Sequence, residues 1–279
     1  MAGIVGCGKT TTLYRLQEQL RSEGSILVAR SIAVDKKGVT LPNLMVALFS
    51  DLATDKDGEL PTRPEKRERA LCELIRKRKK PVALFIDEAH DLKRDILVEL
   101  KRLMELVRGG DGILSVVLIG HPRLNNDLRK AINEEIGNRA TLFLLDNLHG
   151  ANRAYIHWLL EQCTKPDTEP QSLFDDEAID LLAERLSTPL QIAQHLGLAL
   201  EAAFEIGGRP VAMKVVDQVL AKDINELQAK LVRYGYGTKA VAELLSISTG
   251  TARRFVRGLL PPERSHELQA QIVKAGVPL

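Results

Sequence analysis

The first ten residues constrain the fold more than any others. Gly3-Ile4-Val5-Gly6-Cys7-Gly8-Lys9-Thr10 fits the pattern G-x-x-x-x-G-K-[ST] in full, and a helical stretch, TTLYRLQEQLRSEG, follows at once. Glycines at Gly3, Gly6 and Gly8 let successive backbone N–H groups, Cys7 among them, turn toward an anion. A helix starting there adds the positive end of its dipole. The spacing points to a nucleotide, ATP with Mg²⁺: Lys9 reaches the β- and γ-phosphates, the Thr10 hydroxyl holds the metal, and Thr11 lies in the same first turn. A chance glycine-rich turn is the competing reading, and the acidic motif downstream weighs against it.

That motif is VALFIDEAH. Apolar residues run unbroken to Ile86 and are followed by Asp87 and Glu88. A parallel strand buried on both faces reads this way. Its carboxyl end is where open α/β sheets place ligands. Asp87 can orient Mg²⁺ there, and Glu88 can act as general base on the attacking water. Two carboxylates at an ordinary helix start are the alternative. The pair argues for hydrolysis rather than phosphoryl transfer to a small molecule.

Around these motifs, apolar runs alternate with helical periods. Strands are expected at 25–32, 81–87, 114–120 and 141–148, and helices at 41–52, 65–80, 92–107 and about 124–132. Alternation of this kind means βαβ units, a parallel sheet with helices on both faces. Beyond Gly150 the strand signals stop, and helices are expected at 151–163, 175–186, 190–206 and 213–223. The reading is an α/β body over 1–149, an all-helical lid over 150–224, and a small basic helical domain over 225–279.

Net charge is +2 overall, yet residues 226–279 carry eight Lys/Arg against four Asp/Glu. Within them TKAVAELLSISTGTARRFVRGLL reads as helix, tight turn, helix. Ala252, Phe255 and Val256 face inward, and Arg253, Arg254 and Arg257 sit on the second helix. Such a helix can lie in the major groove of double-stranded DNA; a small bundle packed on a protein partner is the alternative. No apolar run reaches the roughly 18–20 residues of a membrane helix. Cys7, Cys72 and Cys163 lack metal-ligand spacing, and a scattered odd set suits a reducing cytoplasm.

GIVGCGKTTTLYRLQ, VALFIDEAHDL, SVVLIGHPRL and EEIGNRATLFLL, with LSTPLQIAQHLGLALEAAF after them, resemble the AAA+ ATPases. More narrowly, they resemble the branch of ExeA-type secretion ATPases and TnsC/TniB-type transposition ATPases. The resemblance implies a P-loop NTPase fold, α/β and then helical, with a helix-turn-helix-like end. It implies ATP hydrolysis in a homo-oligomer on DNA, with a transposase or other recombination protein as partner. His121 then stands between the catalytic water and the γ-phosphate, or is a surface turn residue before Pro122. Arg139 reaches a neighbouring subunit's γ-phosphate, or pairs with Glu134 or Glu135 at the rim. Gln191 occupies the lid position where many relatives carry an arginine toward the nucleotide. Lys36 and Lys37 line a ring's pore or a plain loop. A secretion ATPase or a catalytically impaired DNA-binding remnant are the alternatives. Relatives also carry a strand before the phosphate loop, whereas only Met1 and Ala2 precede Gly3 here. The expectation is a shortened amino end, a missing strand and weakened ATP binding.

Overall fold

The structure, a computed structural model, describes residues 1–30, 40–128, 140–148, 150–220, 226–277 and 279. These fall into two compact units, Met1–Ala2 with Lys9–Leu144 and Gly3–Gly8 with Leu145–Leu279. The strands are β1 (Ala2–Gly3), β2 (Leu27–Arg30), β3 (Val82–Ile86), β4 (Leu114–Leu118) and β5 (Leu144–Leu145). In the first unit they are joined by α1 (Lys9–Glu23), α2 (Leu41–Leu52), α3 (Pro64–Arg78), α4 (Arg94–Gly109) and α5 (Arg123–Leu128).

β3 shows why this sequence makes a sheet with two covered faces. All five of its residues are buried. Successive side chains point to opposite faces. Val82, Leu84 and Ile86 join the core made by α2, α3 and α4. Ala83 and Phe85 join Leu13 of α1, Val28 and Ile119 on the other side. Burying each large apolar side chain stabilises the fold by about 1.5–3 kcal/mol. β2 and β4 flank β3 in parallel, Leu27 opposite Val82 and Val82 opposite Leu114. The far side of β4 is extended by a parallel bridge from Ala2 to Gly120. There the Met1 ammonium donates to Leu118 O at 2.6 Å, and Gly120 N–H donates to Met1 O at 3.1 Å.

The helices follow their apolar spacing. α4 buries Ile96, Leu97, Leu100, Leu103 and Val107 along one stripe. α2 starts where Thr40 accepts from Asn43 N–H and Pro42 follows. The polar loop between α2 and α3 is tied at Asp57, which accepts from Thr54 N–H at 2.8 Å and Thr54 Oγ1 at 2.7 Å, and also pairs with Lys77 and Arg78. The Lys77 hydrogen bond, then those from Thr54, hold its carboxyl well below the usual carboxylate range.

Two sequence expectations change here. Where a full strand was expected to be missing before the phosphate loop, two residues, Ala2 and Gly3, pair as β1. The eight-residue strand expected over 141–148 is cut to Leu144–Leu145, while Phe143 stays exposed. A strand exists only while a neighbour's backbone pairs with it, and β1 and β5, paired with each other, are two residues apiece.

The second unit is helical: α6 (Asn152–Cys163), α7 (Asp176–Arg185), α8 (Pro189–Glu205), α9 (Met213–Val219), α10 (Leu227–Arg233), α11 (Thr238–Leu245), α12 (Thr249–Val256) and α13 (Pro262–Lys274). It holds two cores. One gathers Ile156, Phe174, Leu182, Ile192 and Val216, and the other Leu231, Val241, Phe255, Leu268 and Ile272. None of the three cysteines forms a disulfide. Among the described residues no helix is long and apolar enough to cross a membrane.

Candidate functional site

Within the first unit Lys9 and Thr10 meet the acidic motif. β3 ends at Ile86, so Asp87 and Glu88 emerge at its carboxyl end. α1 starts at Lys9, which is only 7% exposed. The Thr10 hydroxyl donates to Asp87 Oδ2 at 3.1 Å, a bond across 77 residues of sequence. Asp87 Oδ1 accepts from Glu88 N–H at 2.9 Å. Glu88 itself adopts φ 51°, ψ 34°, a left-handed conformation that costs a non-glycine residue about 1–3 kcal/mol and clusters at working sites. The twist turns the chain sharply at the strand end, and the Glu88 side chain remains 56% exposed. A hydroxyl and a carboxylate at this separation are hard oxygen donors of the kind Mg²⁺ takes, so the residues present fit that ion.

Two histidines border Glu88. His90 Nδ1 lies 3.3 Å from Glu88 Oε2, and His121 Nε2 lies 3.9 Å from the same oxygen. Their rings are 4.0 Å apart between centroids, tilted by 56°. Burial, then the electrostatic influence of His90 and Lys9, push His121 down to about 4. It is therefore a neutral imidazole at neutral pH. His121 is half-buried. Ala89 N–H donates to Ile119 O at 2.7 Å, which holds the turn after Glu88 against the end of β4.

In the second unit, the glycine loop packs on the start of α8. Gly6 has φ +82°, and a Cβ there would meet Thr188 Oγ1 at 2.8 Å and Leu190 Cβ at 2.9 Å. Leu190 N–H donates to Gly6 O at 3.2 Å. A Cβ on Gly3 would meet Cys7 Sγ at 2.6 Å and Leu145 O at 2.7 Å. Gly8, with φ +95°, faces open space. Cys7 N–H donates to Ile4 O at 3.4 Å, and Val5 N–H donates to Arg233 O at 3.0 Å. A cavity of about 150 Å³ lies beside Ile4, Ser187, Arg233 and Tyr234.

Residues 1–128 match the family described as AAA domain. Over 187 residues the chain is 30% identical to General secretion pathway protein A of Aeromonas hydrophila; the match takes in 62% of this chain and 32% of the relative, so the chain spans about a third of that relative's length. Among solved structures, Cdc6p of Pyrobaculum aerophilum superposes with a TM-score of 0.55 at 16% identity, over 99% of this chain and 78% of that one. The Orc1 protein of Aeropyrum pernix, in complex with DNA, gives 0.53 at 15%, over 99% and 76%. The RuvB Holliday junction branch migration motor of Thermotoga maritima gives 0.53 at 15%, over 99% and 78%. The fold is that of the AAA+ proteins.

Within the AAA+ fold, the remaining sequence-derived positions fall as follows. Thr11 is exposed in the first turn of α1. Gln191 Oε1 accepts from Ser187 N–H at 3.1 Å, while Gln191 N–H donates to Thr188 Oγ1 at 3.3 Å. Thr188 thus caps the helix, and Gln191 reaches back to the residue before the cap; T-x-x-Q already marks this start in the sequence. Arg139, Lys36 and Lys37 lie outside the described residues. His90 went unremarked in the sequence, although a histidine two residues after a strand-end Glu was there to be seen. In the carboxyl-terminal part, α11 ends in a left-handed Ser246, with Ile247 N–H donating to Ala242 O at 3.0 Å. Ser248 then caps α12 by accepting from Thr251 N–H at 3.0 Å. Ala252, Phe255 and Val256 are buried, whereas Arg253, Arg254 and Arg257 are exposed.

Proposed function

We propose that this chain is an ATP-hydrolysing AAA+ protein that contacts double-stranded DNA and works as a homo-oligomer. The observation that carries the reading is the Thr10–Asp87 hydrogen bond, which joins the phosphate-loop threonine to the strand-end acid. Bound there, MgATP supplies the scissile γ-phosphoryl bond and a divalent charge beside it. The chain's own groups do the rest. Gly3, Gly6, Cys7 and Gly8 present backbone to the phosphates, Lys9 neutralises the outer ones, and Thr10 and Asp87 hold the metal's place. Glu88, whose side chain is 56% exposed at the turn after β3, would take the proton of the attacking water. His121, neutral, hydrogen-bonds at the γ-phosphate without adding charge. Arg139 acts on the site of the neighbouring subunit, and Gln191 contributes by fixing the start of α8.

The second unit's two cores support a division into lid (150–224) and terminal domain (225–279). The exposed Arg253 and Arg254 on α12, with Arg257 capping its carboxyl end, form the DNA-facing surface of a helix-turn-helix. A role beside a transposase or another recombination protein rests on sequence resemblance. A second reading, an ATPase of general secretion, is favoured by the 30% match to General secretion pathway protein A.

Steady-state phosphate release, measured with and without duplex DNA over a range of salt, tests the proposal. The expected result is turnover that DNA stimulates and salt suppresses steeply, since each phosphate contact adds about 0.9 to the log–log slope. Turnover indifferent to DNA points to the secretion reading, and no turnover at all overturns both.

A further inference from the structure

Hydrolysis makes partial use of the group around Glu88. Glu88, His90 and His121 each offer one ligand atom, and the three atoms lie within 4.8 Å of one another. Glu88 Oε2 is common to both short approaches, 3.3 Å from His90 and 3.9 Å from His121. His90 Nδ1, the ring atom that faces Glu88 Oε2, is buried and makes no hydrogen bond among the described residues, while His121 faces the same oxygen with Nε2. A buried polar atom left unpaired is rare and calls for a partner.

The spacing suits a particular kind of partner. Zn–N bonds are about 2.0–2.1 Å and Zn–O bonds about 2.0–2.2 Å, which sets tetrahedral ligand atoms roughly 3.3–3.5 Å apart. The His90–Glu88 separation already meets this, and His121 needs to close by about 0.5 Å. Imidazole with carboxylate suits zinc and its neighbours, whereas Mg²⁺ prefers oxygen alone. The backbone makes room for the pair. A Cβ on Gly120 would meet His90 N at 3.1 Å and His90 Nδ1 at 3.3 Å, so glycine there admits the ring.

We propose that Glu88, His90 and His121 bind a divalent transition metal of the zinc class, with an open fourth position, and that its binding withdraws the Glu88 carboxylate from water activation. The site is then an inhibitory one, separate in chemistry from the Mg²⁺ position at Thr10 and Asp87. The inhibitory half rests on the hydrolytic reading above; the binding half does not.

The test uses the full chain without an affinity tag, stripped of metal and nucleotide, and titrated with Co²⁺ as a spectroscopic stand-in for zinc. The wild type is expected to take up one equivalent with visible d–d bands of low coordination number and no thiolate band, and to release it to Zn²⁺. His90→Gln and His121→Gln are each expected to weaken binding more than about 10-fold, the loss that even an outer-sphere change produces. Circular dichroism confirms that both variants are folded; should either not be, Glu88→Gln serves in its place. Absence of the bands, or unchanged affinity in the folded variants, overturns the site. ATP turnover in excess Mg²⁺, with and without Zn²⁺, reads the second half. Zinc is expected to lower the wild-type rate and a zinc-selective chelator to restore it, with the ratio near one for His90→Gln. Turnover that persists at full Co²⁺ or Zn²⁺ occupancy overturns the inhibitory half. No turnover in any sample overturns the hydrolytic reading and that half with it, while the spectrum still decides the site.

Discussion

Alanine at Gly6 and at Gly8 should differ sharply in stability, although both glycines belong to one loop and both have positive φ. At Gly8, φ +95°, a Cβ meets nothing within 4 Å. The cost there is backbone strain alone, about 1–2 kcal/mol. At Gly6, φ +82°, the Cβ meets Thr188 Oγ1 at 2.8 Å and Leu190 Cβ at 2.9 Å. Neither atom can swing away. The threonine oxygen caps α8, and a Cβ is fixed by its own backbone. Overpacking of this kind adds about 1–3 kcal/mol. For a chain of this size each kcal/mol moves the midpoint by about 2–4 °C, so Gly6→Ala should melt about 2–12 °C below Gly8→Ala. Thermal unfolding by circular dichroism, without nucleotide, measures the gap. Equal midpoints, or a lower one for Gly8→Ala, would refute the packing of the loop on α8.

Glu88→Gln should keep ATP binding and slow single-turnover hydrolysis by about 10²–10⁴-fold, the usual contribution of a general base; a near-normal rate assigns water activation elsewhere. Replacing Arg253, Arg254 and Arg257 together with alanine should reduce the salt slope of DNA binding by up to about 2.7; an unchanged slope removes α12 from the interface. Asp57→Asn should lower the melting temperature at pH 7. The folded carboxyl is held below its ordinary value, so the unfolded chain takes up the proton first as pH falls below about 4. The wild-type advantage is therefore full above that pH and shrinks below it, and a gap that widens on acidification would contradict the sign. Phe255→Ala removes a side chain only 1% exposed. It should cost about 3–5 kcal/mol and speed hydrogen exchange across residues 226–277 while leaving β3 protected.

The phosphate loop, the acidic strand and the helix Leu41–Leu52 were legible because each rests on local pattern: glycine spacing, an unbroken apolar run, a 3.6-residue stripe. The turn between α11 and α12 was legible for the same reason, small residues followed by Ser248 as a cap. What the sequence misjudged depended on partners. Strand 141–148 has the right residues but pairs over only two of them. Gln191 stands at a family position where relatives carry an arginine, and pattern alone did not show that its amide oxygen accepts from Ser187 N–H at the start of α8. His90 was passed over because only folding brings it against His121, across the space that Gly120 leaves.

The central claim is that Lys9-Thr10 and Asp87-Glu88 form one metal-dependent phosphate site. A double-mutant cycle of Thr10→Ala and Asp87→Ala, read as MgATP affinity by calorimetry, tests it most directly. Groups that grip one ion lose most of their effect together. The double variant should therefore bind only slightly worse than either single one, with a coupling of about 0.5–3 kcal/mol. Losses that simply add, within about 0.5 kcal/mol, would mean that the two residues serve separate places.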